Sequence, residues 1–121
     1  MKILVCEDNK LASLAISTVL KRRGYTIDVA TDGNVAMEKI AQGNLDLVIM
    51  DIHLPYHSGL ELVRYMRIDL ELKIPVIIVS AFSDKQVQKQ ARELGISEYL
   101  VKPFDIDTLI ERIETLLSSS K

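Results

Sequence analysis

The chain has 121 residues, 48% of them hydrophobic, which is enough for one domain with a full core and too little for two ordinary ones. Its 15 basic and 17 acidic residues give a formal charge of -2 and are spread along the chain. No basic block could neutralise a row of phosphates, so direct nucleic-acid binding by this segment is not expected. A single cysteine rules out an internal disulfide, and no apolar run approaches the ~18 residues of a membrane span.

The chain opens directly on an apolar run, "KILVC" at 2–6, and no signal peptide is expected. Cys6 within that run reads as a buried core thiol, and a reducing, cytoplasmic setting is expected. A first helix is predicted over 10–23, stopping at Gly24, followed by the run "TIDVA" at 26–30. A second helix over 34–42 stops at Gly43, before the run "LDLVIM" at 45–50. His53 and His57 have a spacing that suits a metal pair on a helix, but Pro55 between them makes the stretch a loop. "SGLEL" then turns into a third helix over 60–70, with Ser58 at or near its cap. "PVIIVS" at 75–80 leads into a fourth helix that begins at Ser83-Asp84 and stops at Gly95. "EYLV" at 98–101 precedes a fifth, with apolar residues at Ile106, Leu109, Ile110, Ile113, Leu116 and Leu117.

Strand followed by helix, five times over, implies parallel strands joined by right-handed crossovers. The runs at 2–6, 45–50 and 75–80 are nearly all apolar, as strands covered on both faces must be, and belong in the middle of the sheet. The other two carry Asp28 and Glu98 and suit its edges. The strand order 2-1-3-4-5 satisfies both conditions. The expected fold is therefore α/β, a single doubly wound, five-stranded, flavodoxin-like parallel sheet with five helices on two faces. One domain spans 1–121, with 117–121 as a tail or the start of a linker.

In such a sheet the ligand site lies beyond the carboxyl ends of the strands. Strand one ends in Glu7-Asp8, strand three in Asp51, strand four in Ser80 and strand five in Lys102. Carboxylates roughly 5 Å apart repel by about 3 kcal/mol per pair at an effective dielectric of about 20, so something must offset them. A hard cation with oxygen ligands does so, and Mg2+ characteristically binds through one or two carboxylates while keeping waters that a phosphate can replace. Lys102 supplies a second, fixed positive charge. Asp51 is then the carboxylate best placed to act as a nucleophile toward a phosphoryl group. Capping the first helix needs only one of Asp8 or Asn9, not an acidic pair.

Glu7-Asp8, Asp51, Ser80-Ala81 and "Lys102-Pro103-Phe104", each after its strand, together resemble the receiver domains of two-component response regulators, over essentially the whole chain. "VCEDN" and "DIHLPYHSGLEL" resemble the receivers of hybrid kinases and phosphorelays in particular. The resemblance implies that Asp51 accepts a phosphoryl group from the phosphohistidine of a sensor histidine kinase or histidine phosphotransfer domain. It implies Mg2+ ligated by Asp8, Asp51 and the backbone carbonyl of His53, with Glu7 acting mostly through water. Ser80 would hydrogen-bond a phosphoryl oxygen and Lys102 would pair with it. Tyr99 occupies the place of the family's rotating aromatic. Coupling Ser80 to Tyr99 would alter the surface of helix four, strand five and helix five that controls a downstream output domain or protein. Such a domain is not an enzyme beyond self-catalysed phosphotransfer and slow autodephosphorylation.

Three other functions compete. An aspartyl phosphatase of the haloacid dehalogenase kind would need a second acid two residues after the nucleophile, where His53 stands. A flavodoxin-like cofactor binder needs a phosphate-cradling loop after strand one, and "CEDNKLAS" has no glycine. A receiver-shaped interaction module that is never phosphorylated is the remaining alternative, although all the site residues are present.

The first helix carries more apolar surface than one sheet contact requires. Ile16, Val19 and Leu20, with Ala12, are expected on the core face. Leu11 and Leu14 then point away, with Ala15 and Thr18 at the border, and form the expected docking patch for the phosphohistidine partner.

Overall fold

A computed structural model of the chain describes residues 1–119. Five strands, β1 (Lys2–Cys6), β2 (Thr26–Ala30), β3 (Leu47–Asp51), β4 (Val76–Ser80) and β5 (Glu98–Val101), alternate with helices α1 (Lys10–Arg22), α2 (Gly33–Gln42), α3 (Gly59–Arg64), α4 (Lys85–Glu93) and α5 (Ile106–Ser119). The strands are all parallel, in the order β2-β1-β3-β4-β5. The three apolar strands are indeed central, with β1, β3 and β4 buried almost throughout.

The period-two alternation of each strand divides the core into two layers. Leu4, Val48, Met50, Val76 and Ile78 pack with Ala36 and Ile40 of α2, Leu62 and Val63 of α3 and half-buried Val87 beside Leu94 at the α4 end. Ile3, Val5, Leu47, Ile49, Ile77 and Val79 pack with Ile16 and Leu20 of α1 and Leu109, Ile110 and Ile113 of α5. Chain leaving β1 thus covers one face and chain leaving β3 the other. That divergence opens a crevice at the carboxyl ends of those two strands.

Side-chain caps begin all five α-helices. Asn9, Asp32, Ser58, Asp84 and Asp105 each accept a hydrogen bond from a backbone N–H in the first turn that the helix itself leaves unpaired. The third helix departs from the regular one expected through residue 70. After Arg64 the chain widens into a π turn, Tyr65–Asp69, closed by the Leu70 N–H on the Tyr65 carbonyl at 3.0 Å. The wider turn accompanies burial of Met66 and brings the Arg67 guanidinium onto the carbonyls of Leu72, Ile74 and Gly95 at 2.8–2.9 Å. These bonds are absent from a hydrophobic pattern, which explains why the sequence predicted an ordinary helix.

On α1 the exposed side is as expected: Leu11 and Leu14 are 79% and 63% exposed, and Ala15 is exposed too. The core side is rotated from the expected set. Ser13, Ile16, Ser17 and Leu20 are buried, whereas Ala12, Thr18 and Val19 are half-buried. The two serines fit because their hydroxyls bond back to carbonyls of their own helix, Ser17 to Ser13 at 2.6 Å and Ser13 to Lys10 at 3.1 Å. α5 continues to Ser119 with Leu117 buried, so the expected tail is helical over 117–119, and 120–121 lie outside the described residues. No helix among the described residues is long and apolar enough to cross a membrane.

The two faces of α1 differ in what they contribute to stability. Leu20→Ala should cost roughly 2–5 kcal/mol by leaving a cavity, and Leu14→Arg less than about 0.5 kcal/mol. Urea unfolding of both variants checks this, and a comparable loss in the two would mean that Leu14 belongs to the core.

Candidate functional site

At the carboxyl edge of the sheet the strand ends meet as their order requires. Asp51 closes β3 and is 5% exposed; Glu7, one residue beyond β1, is 1% exposed; Ser80 closes β4 and is fully buried. Asp8 is exposed. Carboxylate oxygens of Glu7, Asp8 and Asp51 lie within 4.8 Å of one another, the one such cluster among the described residues. Lys102, one residue past β5, reaches back with its ammonium 2.5 Å from Glu7 Oε1 and 2.8 Å from Asp51 Oδ2. The backbone N–H of His53 donates to Asp51 Oδ1 at 2.9 Å, and that of Asn9 to Glu7 Oε2 at 3.2 Å. Asp51 thus sits on a rigid, buried strand with one oxygen on a cation and the other on an amide.

Glu7 and Lys102 share a bond, yet both are pushed toward their protonated forms. Burial raises Glu7 and the nearby Asp51 charge adds to it, against the lowering effects of Lys102 and the Asn9 amide. Burial would lower Lys102, but the hydrogen bonds to Asp51 and Glu7 outweigh it and raise it. The two directions agree physically, because one cation is divided between two carboxylates.

The acids also fit a metal. Three carboxylates face one ammonium, an excess of two negative charges that a divalent cation would match. The donors are all hard oxygens, and exposed Asp8 leaves the cluster open to solvent.

Ser80 and Tyr99 meet on the backbone of one residue, Phe82, at the two peptide groups that flank its Cα. Ser80 Oγ accepts from the Phe82 N–H at 3.1 Å, while the Tyr99 hydroxyl donates to the Phe82 carbonyl at 2.8 Å. The Phe82 ring meets that of His53 edge-to-face, with centroids 4.3 Å apart. Lys102 N–H donates to the Ser80 carbonyl at 2.7 Å, and the Lys102–Pro103 peptide is cis. His57 does not join the acids: its Nδ1 lies 3.5 Å from Glu61, as befits a loop residue beside α3. The role of Gly59 was not visible in "SGLEL". A Cβ there would lie 2.4 Å from the Asp51 carbonyl oxygen, so only glycine lets α3 start against the end of β3.

A family model described as the response regulator receiver domain matches residues 3–114. The chain belongs to the response-regulator receiver family. It is 39% identical over 113 residues to the transcriptional regulatory protein DltR of Streptococcus agalactiae, covering 93% of this chain and 50% of that protein. It is 35% identical over 116 residues to the response regulator ArlR of Staphylococcus saprophyticus, covering 96% and 52%. The chain therefore spans about half the length of these curated relatives. Among solved structures, the receiver domain of the Francisella response regulator 1452 superposes with a TM-score of 0.94 at 34% identity, covering 99% of this chain and 98% of that one. The Thermotoga maritima response regulator TrrA in complex with Mg(2+)-BeF gives 0.84 at 34% identity, covering 95% and 97%. As a receiver, the chain is a phospho-acceptor signalling domain.

The electrostatics of the receiver site can be measured directly. Because the folded chain holds the Glu7 proton more tightly than the unfolded chain does, the stability Glu7 contributes is complete below its ordinary value of 4.5 and is lost as pH rises through the raised value. Glu7→Gln should remove that loss. Without divalent cations it should melt higher than the wild type at pH 7 and at a similar temperature at low pH. Equal melting at both pH values would show that the Lys102 bond fully offsets the burial of Glu7.

Proposed function

We propose that Asp51 is the phospho-acceptor and receives its phosphoryl group from a phosphohistidine. The observation that carries this is the placement of Asp51 at the end of a buried strand, 2.8 Å from the Lys102 ammonium and within 4.8 Å of Glu7 and Asp8. A carboxylate oxygen of Asp51 attacks phosphorus, the P–N bond to the donor imidazole breaks, and the imidazole keeps the electron pair and takes up a proton. Lys102 already sits where it can neutralise a phosphoryl oxygen.

Asp8, Asp51 and the His53 backbone carbonyl would hold Mg2+, with Glu7 acting through water, and the ion would supply positive charge to the transferring oxygens. The Mg(2+)-BeF complex of the similar Thermotoga protein supports this choice of metal. The group two residues after Asp51 is His53, not a second acid, so the chemistry is self-catalysed phosphotransfer with slow autodephosphorylation rather than turnover of a separate substrate.

The switch runs through the Phe82 backbone. When Ser80 turns its hydroxyl to donate to a phosphoryl oxygen, the Phe82 N–H loses its acceptor, and Tyr99, held by the carbonyl of the same residue, follows. The affected surface is α4, β5 and α5. Similarity to the transcriptional regulatory protein DltR, about twice as long, supports transcription as the output, through a further domain or protein. The donor, a sensor histidine kinase or histidine phosphotransfer domain, docks on α1. Beside exposed Leu11 and Leu14, a groove lined by Ala12, Ala15, Ile16, Pro103, Phe104 and Ile106 runs to Glu7 and Lys102. The buried single cysteine, Cys6, fits a cytoplasmic setting.

Three measurements test this. Incubated with acetyl phosphate and Mg2+ and weighed intact, the wild type should gain one phosphoryl group and Asp51→Asn none; unchanged labelling in the variant sinks the assignment. Leu14→Arg should slow transfer from a phosphohistidine donor roughly five-fold or more, the equivalent of about 1 kcal/mol, and leave acetyl phosphate labelling intact. Equal slowing of both would place the effect in the site rather than in docking. The rings of His53 and Phe82, two residues after Asp51 and Ser80, pack together, would shield Asp51 and offer no acid or amide to orient water. His53→Asn combined with Phe82→Glu should therefore hasten loss of the label, and an unchanged half-life would count against the shield.

A further inference from the structure

The loop between β3 and α3 carries His53 and is held at two points. Near the sheet, the Gly59 N–H donates to the Ile52 carbonyl at 2.8 Å. Farther out, the Pro55 carbonyl accepts two N–H groups, from His57 at 2.9 Å and from Gly33 at 2.8 Å. The first of these closes a three-residue turn around Tyr56, whose φ of 74° gives the strained hand of the γ-turn that side chains seldom adopt. Such a backbone persists only where its surroundings over-determine it.

Gly33 is the element that does so. It is the first residue of α2, behind the Asp32 cap, and its φ is not in the left-handed region, so its conformation alone does not call for glycine. Alanine would favour the helix. What demands glycine is proximity: a Cβ would lie 2.6 Å from His57 Cβ, 2.7 Å from His57 N and 2.8 Å from His57 O. Two of those atoms are backbone and cannot rotate away. A side chain at this position therefore requires α2 and the loop to move apart, which strains the Gly33–Pro55 bond and the turn at Tyr56 beside it.

We infer that Gly33 is a positioning residue for the phospho-acceptor site. By letting the first amide of α2 reach the Pro55 carbonyl, it holds the loop whose His53 amide orients Asp51 and whose His53 carbonyl is the proposed backbone ligand. This rests on the reading of Asp51 and its neighbours as a Mg2+-dependent acceptor. Groups that orient metal ligands without touching the metal commonly cost about ten-fold or more in affinity when altered.

The test is Gly33→Ala, compared with the wild type by calorimetric Mg2+ titration, acetyl phosphate labelling and urea unfolding. The variant should stay folded and half-saturate at about ten-fold higher Mg2+. Its labelling should be slow at low Mg2+ and approach the wild-type rate at saturation. Reduced stability with wild-type Mg2+ affinity would show a merely structural glycine and overturn the inference. Should Gly33→Ala not fold, Asp32→Ala loosens the same first turn without adding atoms and should weaken Mg2+ binding in the same direction; unaltered affinity there also overturns it. A wild type that neither binds Mg2+ nor labels would fail the reading of the site itself, and the inference with it.

Discussion

One ammonium shared between two buried carboxylates governs this structure. Lys102 comes from the far edge of the sheet to meet Glu7 and Asp51, which are almost wholly removed from water. Neither acid would be tolerated there as an unpaired charge. Yet the ammonium cannot satisfy the whole cluster, since Asp8 adds a third carboxylate. The site is left short of positive charge by an amount suited to a divalent cation.

The topology makes that meeting possible. β1 and β3 are neighbours, but the helices that follow them cover opposite faces, so nothing closes the space above their carboxyl ends. Apolar side chains fill both faces below and fix the backbone at Asp51 to the packing of three central strands. The loops above are then held by specific polar contacts: the His53 amide on Asp51, Ser80 and Tyr99 on the N–H and the carbonyl of Phe82, and Gly33 on Pro55. A rigid floor beneath adjustable loops suits a domain that must accept a group at one point and report it at another.

The helices divide the work unequally. α1 buries Ile16 and Leu20 but leaves Leu11 and Leu14 in solvent beside the groove that leads to the acids. α4 buries only Ala91 fully and half-buries Val87, its other residues being polar, so few contacts tie it to the core. It begins just beyond Phe82, on whose backbone Ser80 and Tyr99 meet. An element with few buried contacts shifts at small cost, which places the most easily moved helix next to that residue.

Most of the architecture was legible in the sequence because it depends on local pattern. Apolar runs of strand length alternating with capped helical segments determined the class, and their differing polarity determined the strand order and hence which residues share an edge. Asp51, Glu7, Asp8, Ser80 and Lys102 follow from that order without any coordinates. Only the tertiary structure decided how they pair, because Lys102 bonds to partners 95 and 51 residues away. The serine face of α1 was hidden because hydropathy scores a hydroxyl as exposed when its own helix can satisfy it. The π turn after α3 depends on what Arg67 finds across a gap, and the requirement for glycine at 33 and 59 depends on the backbone of another segment. Periodicity records which way a residue faces. Distances between segments remote in sequence arise only when the two layers pack around the sheet, and those distances set the charge balance and the close approaches of the site.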